Sequence, residues 1–383
     1  MPPRVSRAIY WLQAFLAICI VGIHTYTPTV PGSAMHYVLT FVNSCVTLPA
    51  LSCYFLLAGY LMFAGIDRFT LADYRRIVTR RLVTLVVPWI IWTIVGYLGY
   101  LALRPEHTVP DWWRLDHIIF AQPFSKTLDL PGNVSLPLLG TPFGNTVFYY
   151  VRDIFIAALL SPVVWWVCRR LGLWTIPLML LIYFLVARPG IGAWRANWIF
   201  FPIGAVLARK GSGGGTVPSS TSGKGSGTVL SSTSGIFIIL FWLLLTFGLT
   251  WMRVNFDSYH LQHGLLARAY SLITTLLGIA AYVIIAFRAT RKRDSLLMAL
   301  VPFAFFIFAT HVLPWVEVPL EYMTGATNRA LGISEEWQAA TFIFYMIPVR
   351  LALIVSVATL IGRLSPGLLS FLTGSRSRRT IKN

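Results

Sequence analysis

Two histidines, His24 and His311, lie within otherwise apolar stretches of the chain, as do Arg152, Asp153, Arg268, Glu317 and Arg350. A neutral imidazole beside a carboxylate and a cation can act as a general base toward a hydroxyl group. The carboxylate would set the ring's tautomer, and the cation would stabilise a developing oxyanion. Pairing of Arg152 or Arg350 with Asp153 or Glu317 for structural reasons is the competing reading. Some pairing is expected under either, because an unpaired charge at membrane depth is far costlier.

His24 falls near the end of a run from Tyr10 to Tyr26 that is long and apolar enough to cross a bilayer as a helix. Its other strongly polar interior residue is Gln13. The two are separated by about three helical turns, about 16 Å along the axis, and so project from one face. Such a pair belongs to a functional site or to hydrogen bonding between helices. A second chemistry sits at Arg75, Arg76, Arg80 and Arg81, just before an apolar stretch that contains Pro88-Trp89. Paired guanidinium groups can hold a phosphate bidentately. Orientation of the chain and attraction of anionic lipid are the alternative uses of that charge. No Gly-rich phosphate loop, zinc-ligand spacing or Gly-x-Ser-x-Gly elbow is present, so no metal site is expected.

The elements that position these residues must be membrane helices. A chain that is 56% hydrophobic and only 11% charged, with mean hydropathy +0.70, cannot be a soluble domain. Its many Trp, Tyr and Phe residues suit aromatic belts at two interfaces. The expected fold is an all-α integral membrane protein, a polytopic bundle of about ten transmembrane helices. Apolar stretches lie near 8–26, 41–64, 82–103, 146–168, 172–188, 194–208, 236–252, 265–287, 298–318 and 339–361. The sixth is short for a full span, which suits a tilted or partly buried helix. Lys and Arg crowd the connections on one side, from Arg4 and Arg7 through Arg80 and Arg81 to Arg379 and Lys382, so both termini are expected in the cytoplasm. The net charge of +18 is explained by that placement, and nucleic-acid binding is rejected. By depth, His24, Arg152, Asp153, Arg268, His311 and Glu317 fall in the outer half of the bilayer, and Arg350 falls near the middle of the last span.

Cys19, Cys45, Cys53 and Cys168 lie in or at the ends of apolar stretches without ligand spacing and read as packing residues. The first stretch is longer than a signal-peptide core and lacks a clear cleavage site, so it is expected to be retained. The outer segment 104–145 carries Trp112-Trp113, which could stack on a sugar ring or rest at the lipid interface. Residues 210–235 are nearly all Gly, Ser and Thr and almost repeat themselves, as a flexible linker would. They divide six spans within 1–209 from four within 236–362, and a basic cytoplasmic tail follows at 363–383.

The order of motifs resembles the acyltransferase-3 family of integral membrane acyltransferases, especially the bacterial surface-polysaccharide O-acetyltransferases. The resemblance covers nearly the whole chain. It rests on residues 16–25 ending in His24-Thr25, on Phe55-Leu56-Leu57-Ala58-Gly59-Tyr60-Leu61, and on Arg80-Arg81-Leu82 running into Pro88-Trp89. It rests further on Val147-Phe148-Tyr149-Tyr150-Val151-Arg152-Asp153-Ile154 with Leu160-Ser161-Pro162, on residues 201–209 beginning Phe201-Pro202-Ile203-Gly204, and on Phe306-Ile307-Phe308-Ala309-Thr310-His311. The family carries an arginine where this chain has Gln13, and a serine is common where it has Ala58.

The resemblance implies transfer of an acyl group, usually acetyl from acetyl-CoA, to a hydroxyl of a sugar or polysaccharide on the outer side of the inner membrane. Acyl-CoA would be a co-substrate, with no permanently bound cofactor, and membrane lipid the remaining partner. His24 would deprotonate the acceptor or carry the acyl group transiently, with Asp153 orienting it. Arg152 or His311 would help place substrate, and Arg80 and Arg81 would hold the donor. Gln13, Tyr60, Tyr149 and Arg350 complete the expected binding set. A transporter or flippase of a lipid-linked sugar or small anion would use the same intramembrane charges. An inactive member of the fold, serving as a sensor or scaffold, would fit the Gln13 substitution.

Overall fold

The structure is a computed structural model. It describes residues 3–25, 29–103, 126–130, 134–138, 145–186, 197–212, 233–256, 265–290 and 296–374. Trp112-Trp113 and most of the linker 210–235 lie outside the described residues.

The chain is overwhelmingly helical. Its principal helices are α1 (Pro3–His24), α2 (Leu48–Phe63), α3 (Leu71–Leu103), α4 (Tyr149–Leu159), α5 (Ser161–Leu171), α6 (Thr175–Val186) and α7 (Phe200–Ser212). They continue as α8 (Thr233–Asn255), α9 (Leu265–Ala289), α10 (Ala304–Thr310), α11 (Pro314–Ala330), α12 (Glu335–Leu364) and α13 (Pro366–Leu372). Among the described residues, the departure from helix that the sequence did not suggest is a short antiparallel hairpin. It pairs β1 (Lys126–Leu130) with β2 (Val134–Leu138), and Leu128 lies opposite Leu136. Pro131-Gly132-Asn133 between the strands has turn-forming composition.

Six helical stretches among the described residues are long and apolar enough to cross a membrane: Pro3–His24, Leu71–Leu103, Ser161–Phe184, Ser234–Asn255, Leu265–Ala289 and Glu335–Leu364. Leu297–Thr310 with Pro314–Ala330 would make a seventh but is bent by 89°. The ninth expected stretch, 298–318, is therefore not one straight span. Ser161–Phe184 is likewise interrupted, because Gly172 has φ of 54°, a left-handed conformation that ends α5 and that glycine adopts at little cost.

Proline explains a second irregularity. Helix widens to the π form at Thr40–Val46, Leu82–Val86 and Phe342–Met346, and each is followed within three residues by a proline, at Pro49, Pro88 and Pro348. Proline donates no backbone hydrogen bond, and its ring crowds the carbonyl one turn earlier, which a wider turn relieves.

The described chain divides into two compact units. Residues 1–23, 29–71 and 161–301 form one, and residues 24–28, 72–160 and 302–383 form the other. In the first, α2 and α7 touch backbone to backbone, because a Cβ at Gly59 would strike the carbonyl of Phe201, and one at Gly204 would strike the carbonyl of Leu56. Tyr282 is buried in the same unit, donates to the carbonyl of Val46, and meets the rings of Phe15 and Trp242 edge-on at 4.9 and 5.6 Å. In the second unit, Trp92 donates to the Leu372 carbonyl at 3.0 Å and packs edge-on against Phe306 at 5.3 Å. Trp315 donates to the Val95 carbonyl at 3.1 Å, tying α11 to α3.

Candidate active site

The second unit holds the group with the most chemistry, and a helix break builds it. Pro314 opens α11, and Leu313 before it is extended (φ −69°, ψ 137°), as a residue preceding proline is driven to be. Helix α10 therefore stops at Thr310. A helix end leaves its last four carbonyls without intrahelical partners, here those of Ile307, Phe308, Ala309 and Thr310. The Ile307 carbonyl accepts from the His311 backbone N–H at 3.2 Å, and that of Thr310 from the Leu313 N–H at 3.0 Å. His311 Nδ1 lies 3.1 Å from the Ile307 oxygen and 2.9 Å from the Phe308 oxygen. The Ala309 oxygen accepts from Asn145 Nδ2 at 2.8 Å. All four are satisfied.

That arrangement sets the protonation pattern. A carbonyl only accepts, so His311 Nδ1 carries the hydrogen and Nε2 of the neutral ring keeps a lone pair. His311 is fully buried, and Nε2 has no hydrogen-bond partner among the described residues. Its ring centroid stands 5.3 Å from that of His24, tilted by 53°. His24 ends α1, and Thr25 after it accepts a long hydrogen bond of 3.4 Å from Arg350 Nη1. Arg350 is 1% exposed and lies within electrostatic reach of both imidazoles and of Glu317 and Glu321. Those two carboxylates are four residues apart on α11, hence on one face. They supply the countercharge that a buried guanidinium requires.

A further polar group gathers at the start of α4. Arg152 reaches Asp153 Oδ1 with both Nε, at 3.1 Å, and Nη2, at 3.0 Å, and both residues are buried. Asp153 and Arg152 act electrostatically on Tyr149, and Tyr150 acts on Arg81. Of the guanidinium groups at the head of α3, Arg81 is thus turned toward the protein, whereas Arg80 is exposed and Arg76 is paired to Asp73 at 2.7 Å. Among the described contacts, Asp153 belongs with Arg152 and Tyr149, and the residues grouped with His24 are His311, Thr25 and Arg350.

Eight of the ten expected site residues (His24, Arg80, Arg81, Tyr149, Arg152, Asp153, His311 and Arg350) belong to this unit; Gln13 and Tyr60 belong to the other. Gln13 and Tyr60 are half-buried, and the Gln13 backbone carbonyl accepts from Tyr54 Oη at 3.1 Å. Thr25, Asn145 and Glu321 join the site without having been expected. Glu321 was legible as the residue one turn beyond Glu317, and Thr25 as the neighbour of His24. Asn145 carried no signal, since its role depends on a helix end far away in sequence. Among the described residues, no three His, Cys, Asp or Glu side chains gather to hold a metal ion.

Comparison with known families adds one finding. The model of a family described as an acyltransferase domain, Acyl_transf_3, matches residues 7–362, nearly the whole chain. No curated protein and no solved structure gives a match.

Proposed function

The chain belongs to the acyltransferase-3 family and is a multi-pass membrane acyltransferase; from that premise we propose that it is an O-acyltransferase of the bacterial inner membrane with both termini in the cytoplasm. It takes an acyl group, acetyl in the simplest case, from cytoplasmic acyl-CoA and delivers it to a hydroxyl of an extracytoplasmic or lipid-linked sugar. Arg80 and Arg81 hold the donor's phosphates. Tyr149 contacts substrate. Asp153 acts by fixing Arg152.

In the first half-reaction, a ring nitrogen of His24 attacks the thioester carbonyl. A C–N bond forms, the C–S bond breaks, and the departing thiolate takes the proton lost from the ring. In the second, the acceptor hydroxyl attacks the acyl-imidazole while His311 Nε2 takes its proton. The C–O bond forms, the C–N bond breaks, and His311 returns the proton to His24. Arg350 stabilises the oxyanion in both steps.

The observation that carries this reading is the pair of imidazoles at 5.3 Å, one buried and held as an acceptor, with a buried guanidinium in electrostatic reach. The test uses proteoliposomes supplied with radiolabelled acetyl-CoA and an isolated surface glycan. Label should reach the glycan with the native protein and not with His24→Ala at equal expression. Undiminished transfer by the alanine variant would sink the assignment. Movement of the glycan without acylation would favour a transporter.

A further inference from the structure

The break that frees His311 Nε2 also leaves a second acceptor, which the proposed reaction does not use. Asn145 is 2% exposed, and its amide nitrogen is committed to the Ala309 carbonyl. Because a carbonyl cannot donate, the amide cannot be turned over, and Oδ1 must face away from α10. That oxygen is buried and has no hydrogen-bond partner among the described residues. His311 is in the same position, with Nδ1 donating to Ile307 and Phe308 and Nε2 left bare. Two side chains therefore use their donors on consecutive carbonyls of one helix end, and each keeps an acceptor that is desolvated and unmatched.

A buried acceptor without a donor is destabilising, and native structures hold few of them. Two at one helix end are explained if a ligand brings two donors. One is the hydroxyl that His311 deprotonates. We infer that Asn145 Oδ1 accepts a hydrogen bond from a second hydroxyl or N–H group on the same acceptor molecule, so that the enzyme selects polyhydroxylated or amide-bearing sugars over simple alcohols. The inference rests on the acyltransferase reading of the His24–His311 site. Asn145 is in this account a specificity residue: it touches substrate and moves no proton.

The experiment measures kcat/KM with acetyl-CoA for methyl glycosides of common hexoses and for their singly deoxygenated analogues. The native protein should lose roughly five- to hundredfold when one particular hydroxyl, other than the acylated one, is removed, since Oδ1 is then left without a donor. Asn145→Ala should be slower on the parent sugar and nearly indifferent to that deletion. Asn145→Asp keeps the discrimination where its buried carboxyl is protonated, with the O–H donating to the Ala309 carbonyl and the other oxygen accepting from substrate, and should lose it as pH rises and the acid ionises; melting in detergent reports whether each variant is folded. If Asn145→Ala loses the same factor on the parent and deoxy sugars, so that their ratio is native-like, Asn145 merely holds Ala309 and the inference is overturned. So it is if the native protein shows no penalty for any deletion. Failure of the native protein to acylate any glycoside would defeat the underlying reading.

Discussion

Replacing His311 by asparagine separates its two ring nitrogens, because the amide nitrogen of Asn occupies nearly the position of Nδ1. The variant can still donate to the Ile307 and Phe308 carbonyls, at 3.1 and 2.9 Å in the native protein, but has nothing in place of Nε2. Its cost in stability is the lost ring contact with His24 at 5.3 Å and with Phe308 at 6.3 Å, about 1 kcal/mol, plus a small void. One unmatched acceptor replaces another, so that contribution nearly cancels. A general base is worth about 10²- to 10⁴-fold in rate, or about 3–5 kcal/mol of barrier. His311→Asn should therefore melt within a few degrees of the native protein yet lose at least a hundredfold in kcat. His311→Phe should lose both turnover and stability, because it has no Nε2 to take the proton and also strips the Phe308 carbonyl of its side-chain donor, costing about 1–3 kcal/mol. Acetyl transfer in proteoliposomes and thermal melting in detergent supply the two readouts. A folded asparagine variant with more than about a third of native turnover would refute the claim that Nε2 takes the hydroxyl proton.

Arg350→Met should abolish turnover with little loss of stability, because Glu317 is half-buried and Glu321 exposed, so neither is left as an unpaired buried charge; a melting temperature lowered by many degrees would contradict this. Gly59→Ala should lower stability by about 1–3 kcal/mol or more, since its methyl group would enter the Phe201 carbonyl and force α2 from α7; loss of a monodisperse peak in detergent at a lower temperature is the readout. Arg81→Gln should raise KM for acetyl-CoA severalfold with kcat little changed, whereas a change confined to the glycan's KM would place the arginine on the wrong substrate.

The membrane class, the long helices α1, α8, α9 and α12, and His24, Arg152, Asp153, His311, Glu317 and Arg350 could be read from hydropathy and from polar groups within apolar runs, whereas Tyr149 came only with the family resemblance. That works because a polar group at membrane depth needs a partner, so such residues find each other. The expected pairing of Arg152 with Asp153 is present as an ion pair, and Glu317 reaches Arg350 electrostatically. The break at 310–314 escaped because mean hydropathy is blind to backbone hydrogen bonding: His311-Val312-Leu313-Pro314 is as apolar as a continuous span. Pro314 alone marked it. Asn145 escaped for a related reason, since its partner is a backbone carbonyl, which leaves no trace in side-chain chemistry. The hairpin 126–138 was hidden by a Pro- and Gly-rich context that reads as loop.

The most direct test of the central claim leaves out the acceptor. Proteoliposomes would be given radiolabelled acetyl-CoA alone, stripped of free label, and assayed for acetyl bound to protein. The account predicts a labelled protein whose acetyl group moves to glycan when glycan is added. It predicts no protein-bound label in His24→Ala, and label that forms but fails to move on in His311→Asn. Transfer to glycan by His24→Ala, or unchanged labelling in that variant, would contradict the two-histidine relay.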